Sequence, residues 1–265
     1  VELGLTGKKA VVTGASQGIG LAIAHALHAE GVELLLVSQT RDSLWQAERE
    51  LTGVEQSVPA PVHTVVADIS LVAEIERVRD EAFRHLGSVD ILVNNAARAF
   101  TGDFFRMPEH ELQTLWDVKG LGYVRMVRAI APHMMEQRSG CIINIVGSTA
   151  RVPTEDFVVG SMVNAALVNF TRGISRELAR HNVRIVSISP GWTMTERQRR
   201  SFEMQAAAQH VSVEDLEQRA ARAIPTRRLV NLDEIAKLVL LVASDMLPNL
   251  TGEDILIDGG SSPSI

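Results

Sequence analysis

Gly14, Gly18 and Gly20 stand at a spacing suited to gripping a phosphate, within Val11-Val12-Thr13-Gly14-Ala15-Ser16-Gln17-Gly18-Ile19-Gly20. Residues 8–12 before the turn read as a short buried strand, and residues 21–30 after it as a helix stopped by Gly31. In such a strand-to-helix turn Gly14 permits a tight bend, and Gly18 removes a Cβ where a phosphate must approach. Gly20 lets helix and strand pack closely. The unbonded N–H groups and the dipole of the helix start then attract a diphosphate. The chemistry implied is dinucleotide binding, and the bland alternative is a tight turn with no ligand.

A turn of that kind needs a sheet behind it. Apolar runs at 32–37, 62–67, 89–93, 141–146, 183–188 and 254–258 read as further strands. Helical patterns cover 41–51, 71–86, 109–137, 157–181 and 232–243, with Pro132 predicting a kink or a break in the third. The strands show little in–out alternation, the mark of a parallel sheet covered on both faces and reached by right-handed crossovers. The expectation is α/β: a single doubly wound (Rossmann) domain over residues 1–265, with a seven-stranded parallel sheet and helices on both faces. Its ligand belongs at the carboxyl ends of the strands, where strand order reverses. Residues 192–224, polar and helix-prone with no strand, read as a substrate lid within it.

Bulk properties exclude several classes. A net charge of −6 argues against a nucleic-acid footprint or an anionic membrane surface. Neither a charged-then-apolar leader nor a bilayer-length apolar run is visible. Cys141 is the sole cysteine, so no intrachain disulfide forms, and a soluble cytoplasmic protein is expected. The eight histidines show no metal-ligand spacing, and His25 and His28 have no carboxylate partner in the pattern. No metal, nucleic-acid or membrane partner is expected.

The form Thr13-Gly-Ala-Ser-Gln-Gly-Ile-Gly20 resembles the cofactor motif of the short-chain dehydrogenase/reductase family. Further stretches match that family in order. Asp68-Ile69 is similar to its acidic adenine turn, Asn94-Asn95-Ala96-Ala97 to its Asn-Asn-Ala-Gly, and Pro190-Gly191 with Thr195 to its nicotinamide segment. Ile224-Pro225 and Thr251-Gly252 to Asp258-Gly259-Gly260 resemble its C-terminal signature. The resemblance implies a cofactor set of Gly14, Ser16, Gln17, Gly18, Ile19 and Gly20, then Ser38 and Arg41, then Asp68, Ile69, Asn95, Ala96, Ala97, Pro190, Gly191 and Thr195. It also implies a small carbonyl or alcohol substrate and a homo-oligomer, tetramer or dimer, through helices 109–137 and 157–181.

NADP is favoured over NAD as the cofactor. A carboxylate closing the second strand would accept from a free ribose 2′-hydroxyl and repel a 2′-phosphate, and this strand closes on Ser38-Gln39-Thr40-Arg41 instead. Arg41 offers a guanidinium fork, although a solvated first-turn residue is the alternative. Asp42 beside it and Gln17, where NADP users often carry a cation, weigh towards NAD.

In the family a Tyr phenol supplies the proton, a Lys four residues on lowers its pKa, a Ser holds the carbonyl oxygen and a helix Asn anchors water. Here Ser148 matches the Ser, Gly160 stands at the Tyr place, Asn164 at the Lys place and Lys119 at the helix-Asn place. The only tyrosine is Tyr123 and the only lysines are Lys8, Lys9, Lys119 and Lys237, so no Tyr-x-x-x-Lys exists in any register. Loss of general-acid catalysis costs about 10²–10⁴ in rate. Two readings follow. In one, the site is rewired: Lys119 reaches the space Gly160 vacates and stabilises or protonates the developing alkoxide, while Ser148 orients the carbonyl. In the other, the protein binds NADP(H) without turnover. Halohydrin dehalogenases, of related fold, lack an ordinary cofactor loop and keep a Tyr, the reverse of this chain. Tyr123 reads as a packing aromatic, Arg98 and Arg151 as loop arginines that could face an anionic substrate, and Glu196 to Arg200 as a solvated helix start.

Overall fold

Runs of β-branched and leucine side chains, apolar on both faces, dictate strands with helices above and below. The computed structural model describes residues 2–53, 60–98 and 100–263. Strands β1 (Lys9–Thr13), β2 (Glu33–Ser38), β3 (Val62–Val66), β4 (Ile91–Asn94), β5 (Gly140–Ile145), β6 (Val183–Pro190) and β7 (Asp254–Ile257) form one sheet. Their order is β3-β2-β1-β4-β5-β6-β7, and every neighbouring pair is parallel. The order reverses between β1 and β4, which opens a crevice at the carboxyl ends of those two strands.

The helices are α1 (Gly18–Ala29), α2 (Arg41–Thr52), α3 (Val72–Leu86), α4 (Glu109–Leu115), α5 (Gly122–Gln137), α6 (Val158–Arg180), α7 (Glu196–Gln209), α8 (Val213–Ala223) and α9 (Leu232–Ala243). Alternate strand residues serve opposite faces. Val12, Leu34, Leu36 and Val93 pack with Ile23 and Leu27 of α1 and Val239 of α9. Val11, Leu35, Val37 and Leu92 pack with Val78 of α3, Ile130 of α5 and Leu178 of α6. Two apolar layers of this kind cover both faces of the sheet, burying β1, β2, β4, β5 and β6 more fully than the edge strands β3 and β7, the arrangement expected from the lack of alternation. No helix among the described residues is long and apolar enough to cross a membrane.

Residues 109–137 differ from expectation. The irregularity is a wide π-type turn over Trp116–Leu121, joining α4 to α5, and Pro132 lies inside α5 rather than at a break. Gly122 explains part of the placement: a Cβ there would stand 3.1 Å from both the carbonyl oxygen and Cδ1 of Ile69, so only glycine lets α5 approach the turn after β3 this closely. Such turns insert a residue and re-aim the side chains around it. The side chain re-aimed here is Lys119.

Buried hydrogen bonds hold the strand ends beneath the crevice. Asn94 Nδ2 donates to Asn144 Oδ1 at 3.0 Å, Asn144 Nδ2 to Thr171 Oγ1 at 3.0 Å, and Ser187 Oγ to Thr171 Oγ1 at 2.8 Å. This chain ties β4, β5, β6 and α6 together in a medium where each bond is hard to replace. Over residues 192–224, α7 and α8 form their own small apolar cluster around Phe202, Ala206 and Leu216.

A Cβ on Gly20 would lie 2.2 Å from the Gly14 carbonyl oxygen and 2.4 Å from Asn95 Nδ2. Gly20→Ala is therefore expected to destabilise the protein by about 1–3 kcal/mol, the range for overpacking, in urea unfolding. A midpoint equal to the parent's would contradict the packing role.

Candidate active site

The turn after β1 is held open by its neighbours. Gly14 N–H donates to the Val37 carbonyl at 2.8 Å, and Asn95 Nδ2 donates to the carbonyls of Thr13 and Gly14 at 3.1 Å each. Thr13 Oγ1 accepts from the N–H of Asn95 at 2.9 Å. Gln17, preceding α1, makes no side-chain cap, so the amides at the start of α1 stay available to an anion. A Cβ on Gly18 (φ +58°) would find only the Thr195 side chain, at 3.7 Å, across open cleft. That opening is where a diphosphate fits.

The cleft, about 540 Å³, is built from strand ends. Gly14, Ser16, Gln17, Gly18 and Ile19 line its middle; Val37, Ser38, Gln39, Thr40 and Ser43 line one end with Ala67 and Ile69. Asn95, Ala96, Ala97, Val146, Lys119 and Thr195 line the other. Gly20 stays behind the lining, packed against Gly14. Asp68 also stands behind it. Burial alone would raise the Asp68 carboxyl, but hydrogen bonds from Ser70 and Gln39, with the charge of Arg98, hold it below the usual range. Ser16 Oγ and Ser38 Oγ share a hydrogen bond of 2.9 Å at the ribose end. Arg41 does not turn into the cleft; its guanidinium lies over the Trp45 ring, 5.5 Å from the centroid. The polar groups lining that end are thus Ser38, Gln39, Thr40 and Ser43, with no carboxylate among them.

A second chamber of about 230 Å³ opens off the first. Ser148, Gly160, Asn164, Pro190, Gly191 and Trp192 line it, and Lys119, Arg98, Arg197, Thr195 and Val146 line both spaces. Lys119 therefore stands at the junction. Its Nζ donates to the Val146 carbonyl at 2.6 Å, which leaves two N–H groups without partners among the described residues. Loss of hydration pushes the ammonium down from 10.5 to about 7, helped by the charge of Arg197. Arg197 is itself lowered by loss of hydration. The Ser148 hydroxyl has no partner among the described residues and faces the same chamber.

The space beside Gly160 is filled, but not by Lys119. A Cβ on Gly160 would lie 2.0 Å from Phe157 Cζ, so the Phe157 ring occupies the volume a larger side chain would need. Asn164 turns away from proton chemistry: its Nδ2 donates to Thr149 Oγ1 at 2.8 Å, and its buried Oδ1 has no partner. Tyr123 is wholly buried, donates to the Ile145 carbonyl at 3.1 Å, and burial pushes its phenol far up. It packs.

Other expectations need correction. Arg151 faces no ligand; its Nε lies 3.1 Å from Asp254 Oδ2, and its guanidinium also donates to the Asp254 carbonyl at 2.9 Å. Asp254 is buried and also accepts from Ser189 Oγ at 2.6 Å, so Arg151 neutralises an internal carboxylate. His25 has an acidic neighbour after all, Glu50 at 3.9 Å. The stretch from Glu196 to Arg200 is a solvated helix start as expected, and its exposed Arg197 also lines both chambers; Thr195 caps the turn (Oγ1 accepts from Gln198 N–H at 3.2 Å). Phe157, Thr149 and Arg197 carry no local sequence signal; only the helix spacing from Gly160 placed Phe157 within reach.

A family profile described as enoyl-(acyl carrier protein) reductase matches residues 14–262. The chain is 29% identical to the NADPH-dependent reductase BacG of Bacillus subtilis (strain 168), over 97% of this chain and 99% of that protein. It is 30% identical to the 2,3-dihydro-2,3-dihydroxybenzoate dehydrogenase of the same strain, over 98% and 97% respectively. The solved structure of L-sorbose reductase from Gluconobacter frateurii, complexed with NADPH and L-sorbose, superposes with a TM-score of 0.95 at 26% identity, each chain covered completely.

Two outcomes follow from this geometry. Below pH 7 the half-buried Lys119 is charged in both folded and unfolded chains and carries the desolvation cost of its ammonium. Between about 7 and 10.5 the unfolded chain binds the extra proton, so that cost fades as pH rises. Lys119→Met should accordingly raise the thermal midpoint more at pH 6 than at pH 10, and the reverse order would contradict the burial. Gly160→Tyr should lower the midpoint through collision with Phe157, and adding Phe157→Ala should recover the loss. No recovery would mean that the ring is not the obstacle.

Proposed function

The chain belongs to the short-chain dehydrogenase/reductase family, and from that premise we propose an NADP(H)-dependent oxidoreductase interconverting a small carbonyl compound and its alcohol, with Lys119 carrying the proton. One observation carries the reading: a lysine ammonium pinned on Val146 where the two chambers meet, pushed down to about 7. A group that titrates near neutrality can both give and take a proton at working pH.

The cleft suits the whole dinucleotide. The start of α1 would receive the diphosphate, while Val37, Ala67 and Ile69 would flank the adenine. Ser38, Gln39, Thr40 and Ser43 would meet the 2′-phosphate, and Ala97, Val146 and Thr195 the nicotinamide end. NADP(H) over NAD(H) is supported by the absence of a carboxylate after β2 and by the NADPH named for BacG and for the sorbose reductase structure. When bound, the cofactor supplies the hydride that forms the new C–H bond.

The chain's own groups do the rest. Ser148 Oγ–H donates to the carbonyl oxygen and fixes its direction. The Lys119 ammonium gives a proton to that oxygen as negative charge develops; an O–H bond forms, one N–H bond breaks, and the Val146 carbonyl keeps the amine in place. Arg98 and Arg197 add positive potential over the same space. Residues 192–224 close over the chamber as a lid, with Trp192 at its edge. The reverse direction needs Lys119 neutral. A second reading, a nucleotide-binding protein without turnover, draws on Phe157 filling the space beside Gly160 and on the partnerless Asn164 oxygen.

Single-turnover NADPH oxidation against a panel of aldehydes and ketones separates the two. The expected rate falls as pH rises through about 7, because the ammonium is lost. Lys119→Met should lower it by about 10²–10⁴, the usual worth of a general acid, with NADPH uptake retained. A rate indifferent to Lys119→Met would overturn the proton assignment, and no turnover of any carbonyl with tight NADPH uptake would favour the binding protein.

A further inference from the structure

The chamber beyond Lys119 is cationic and holds no acid. Arg98, Lys119 and Arg197 all line it, and no Asp or Glu is among its lining residues. Arg98 comes from the loop after β4 and Arg197 from the first turn of α7, so elements far apart in the chain deliver guanidinium groups to one concavity. Neither guanidinium makes an ion pair or hydrogen bond with a described residue. Asp68 feels the charge of Arg98 without pairing with it, and accepts the Ser70 N–H at 2.8 Å. Glu196, the one carboxylate lining the larger cleft, sits 3.4 Å from Arg200. Three like charges thus converge with nothing of the chain's own to offset them.

Like charges lining one concavity raise its positive potential even though Arg98 and Arg197 reach solvent. Such a potential is relieved by an anion. We infer that the substrate is a small carbonyl compound bearing an oxyanion, carboxylate or phosphate, gripped by Arg98 and Arg197 beside the carbonyl that Ser148 holds; this rests on the carbonyl–alcohol reading above. Guanidinium forks match both oxyanions in two-point geometry. The start of α1 provides a seat of its own for the cofactor's diphosphate, although Arg98 and Arg197 line that cleft as well. Size restricts the class further: about 230 Å³ falls below the 300–1,000 Å³ range of pockets for drug-sized ligands. A neutral sugar does not answer the charge, and a long acyl chain answers neither the charge nor the volume.

The test is calorimetric titration of the full chain saturated with NADP+, using matched pairs that differ only in the anion. 4-Oxopentanoate is set against its methyl ester, and dihydroxyacetone phosphate against dihydroxyacetone; the two pairs separate a carboxylate site from a phosphate site. At least one anion should bind tenfold or more tightly than its neutral partner, with the preference shrinking as salt rises. Arg98→Gln and Arg197→Gln should each reduce that preference, and the double variant should abolish it, each measured with NADP+ saturating because both residues also line the cofactor cleft. Equal affinity for anion and neutral partner, with NADP+ still bound, overturns this inference and leaves the oxidoreductase reading standing. Variants that lose NADP+ affinity while keeping the anion preference overturn the arginine assignment. A parent protein that takes up no NADP+ removes the oxidoreductase reading, and this inference with it.

Discussion

A lysine ammonium held against the Val146 carbonyl, with Arg98 and Arg197 lining the same chamber, is the interaction on which the proposed chemistry of this cleft depends. Desolvation makes the charged form expensive there, which is what brings the group near neutrality. The carbonyl supplies one strong acceptor, enough to fix Nζ at the junction without restoring its ordinary basicity. Had an Asp or Glu stood where Asn164 stands, it would have stabilised the ammonium and returned it towards 10.5.

Several backbone features converge to put that nitrogen in place. The wide turn over Trp116–Leu121 directs Lys119 towards β5, and Gly122 lets the helix that follows come close to Ile69. On the opposite side Gly147 has φ +150°, and a Cβ there would lie 2.8 Å from Asn164 Nδ2. The chain after β5 therefore turns tightly over Asn164 and presents Ser148 to the chamber. Gly160, Phe157 and Asn164 form a coherent packing unit: glycine admits the ring, and the amide bridges to Thr149. The unit is filled rather than hollow, which favours the proposed proton route through Lys119.

The fold was legible because each of its signals is local. Seven apolar runs, helical periods and glycine stops place every strand of the sheet, and the spacing of Gly14, Gly18 and Gly20 marks the crevice between β1 and β4. The glycine turn that lines the cleft was legible for the same reason, as was the absence of an acid from Ser38 to Arg41. What could not be read depends on contacts distant in sequence. Arg151 pairs with Asp254 across the sheet, and no pattern near either residue announces it. Pro132 signals a break that the helix absorbs, whereas the irregularity lies at 116–121, just before Gly122 meets Ile69. Arg41 looked like a phosphate ligand from its position, yet Trp45, one helical turn on, offers its ring as the alternative partner. Gly160 stands where the family resemblance implies a phenol; only three-dimensional packing shows the Phe157 ring in the space beside it.

The most direct measurement is an NMR titration of the Lys119 side chain, with 13C-labelled lysine in the parent protein and Lys119→Met to assign the signal. Four lysines give few resonances to separate. A Lys119 signal inflecting near pH 7, well apart from the exposed Lys237, is the expected result. An inflection above 10, shared with the other lysines, would contradict the placement of a desolvated, proton-bearing amine at the junction of the two chambers.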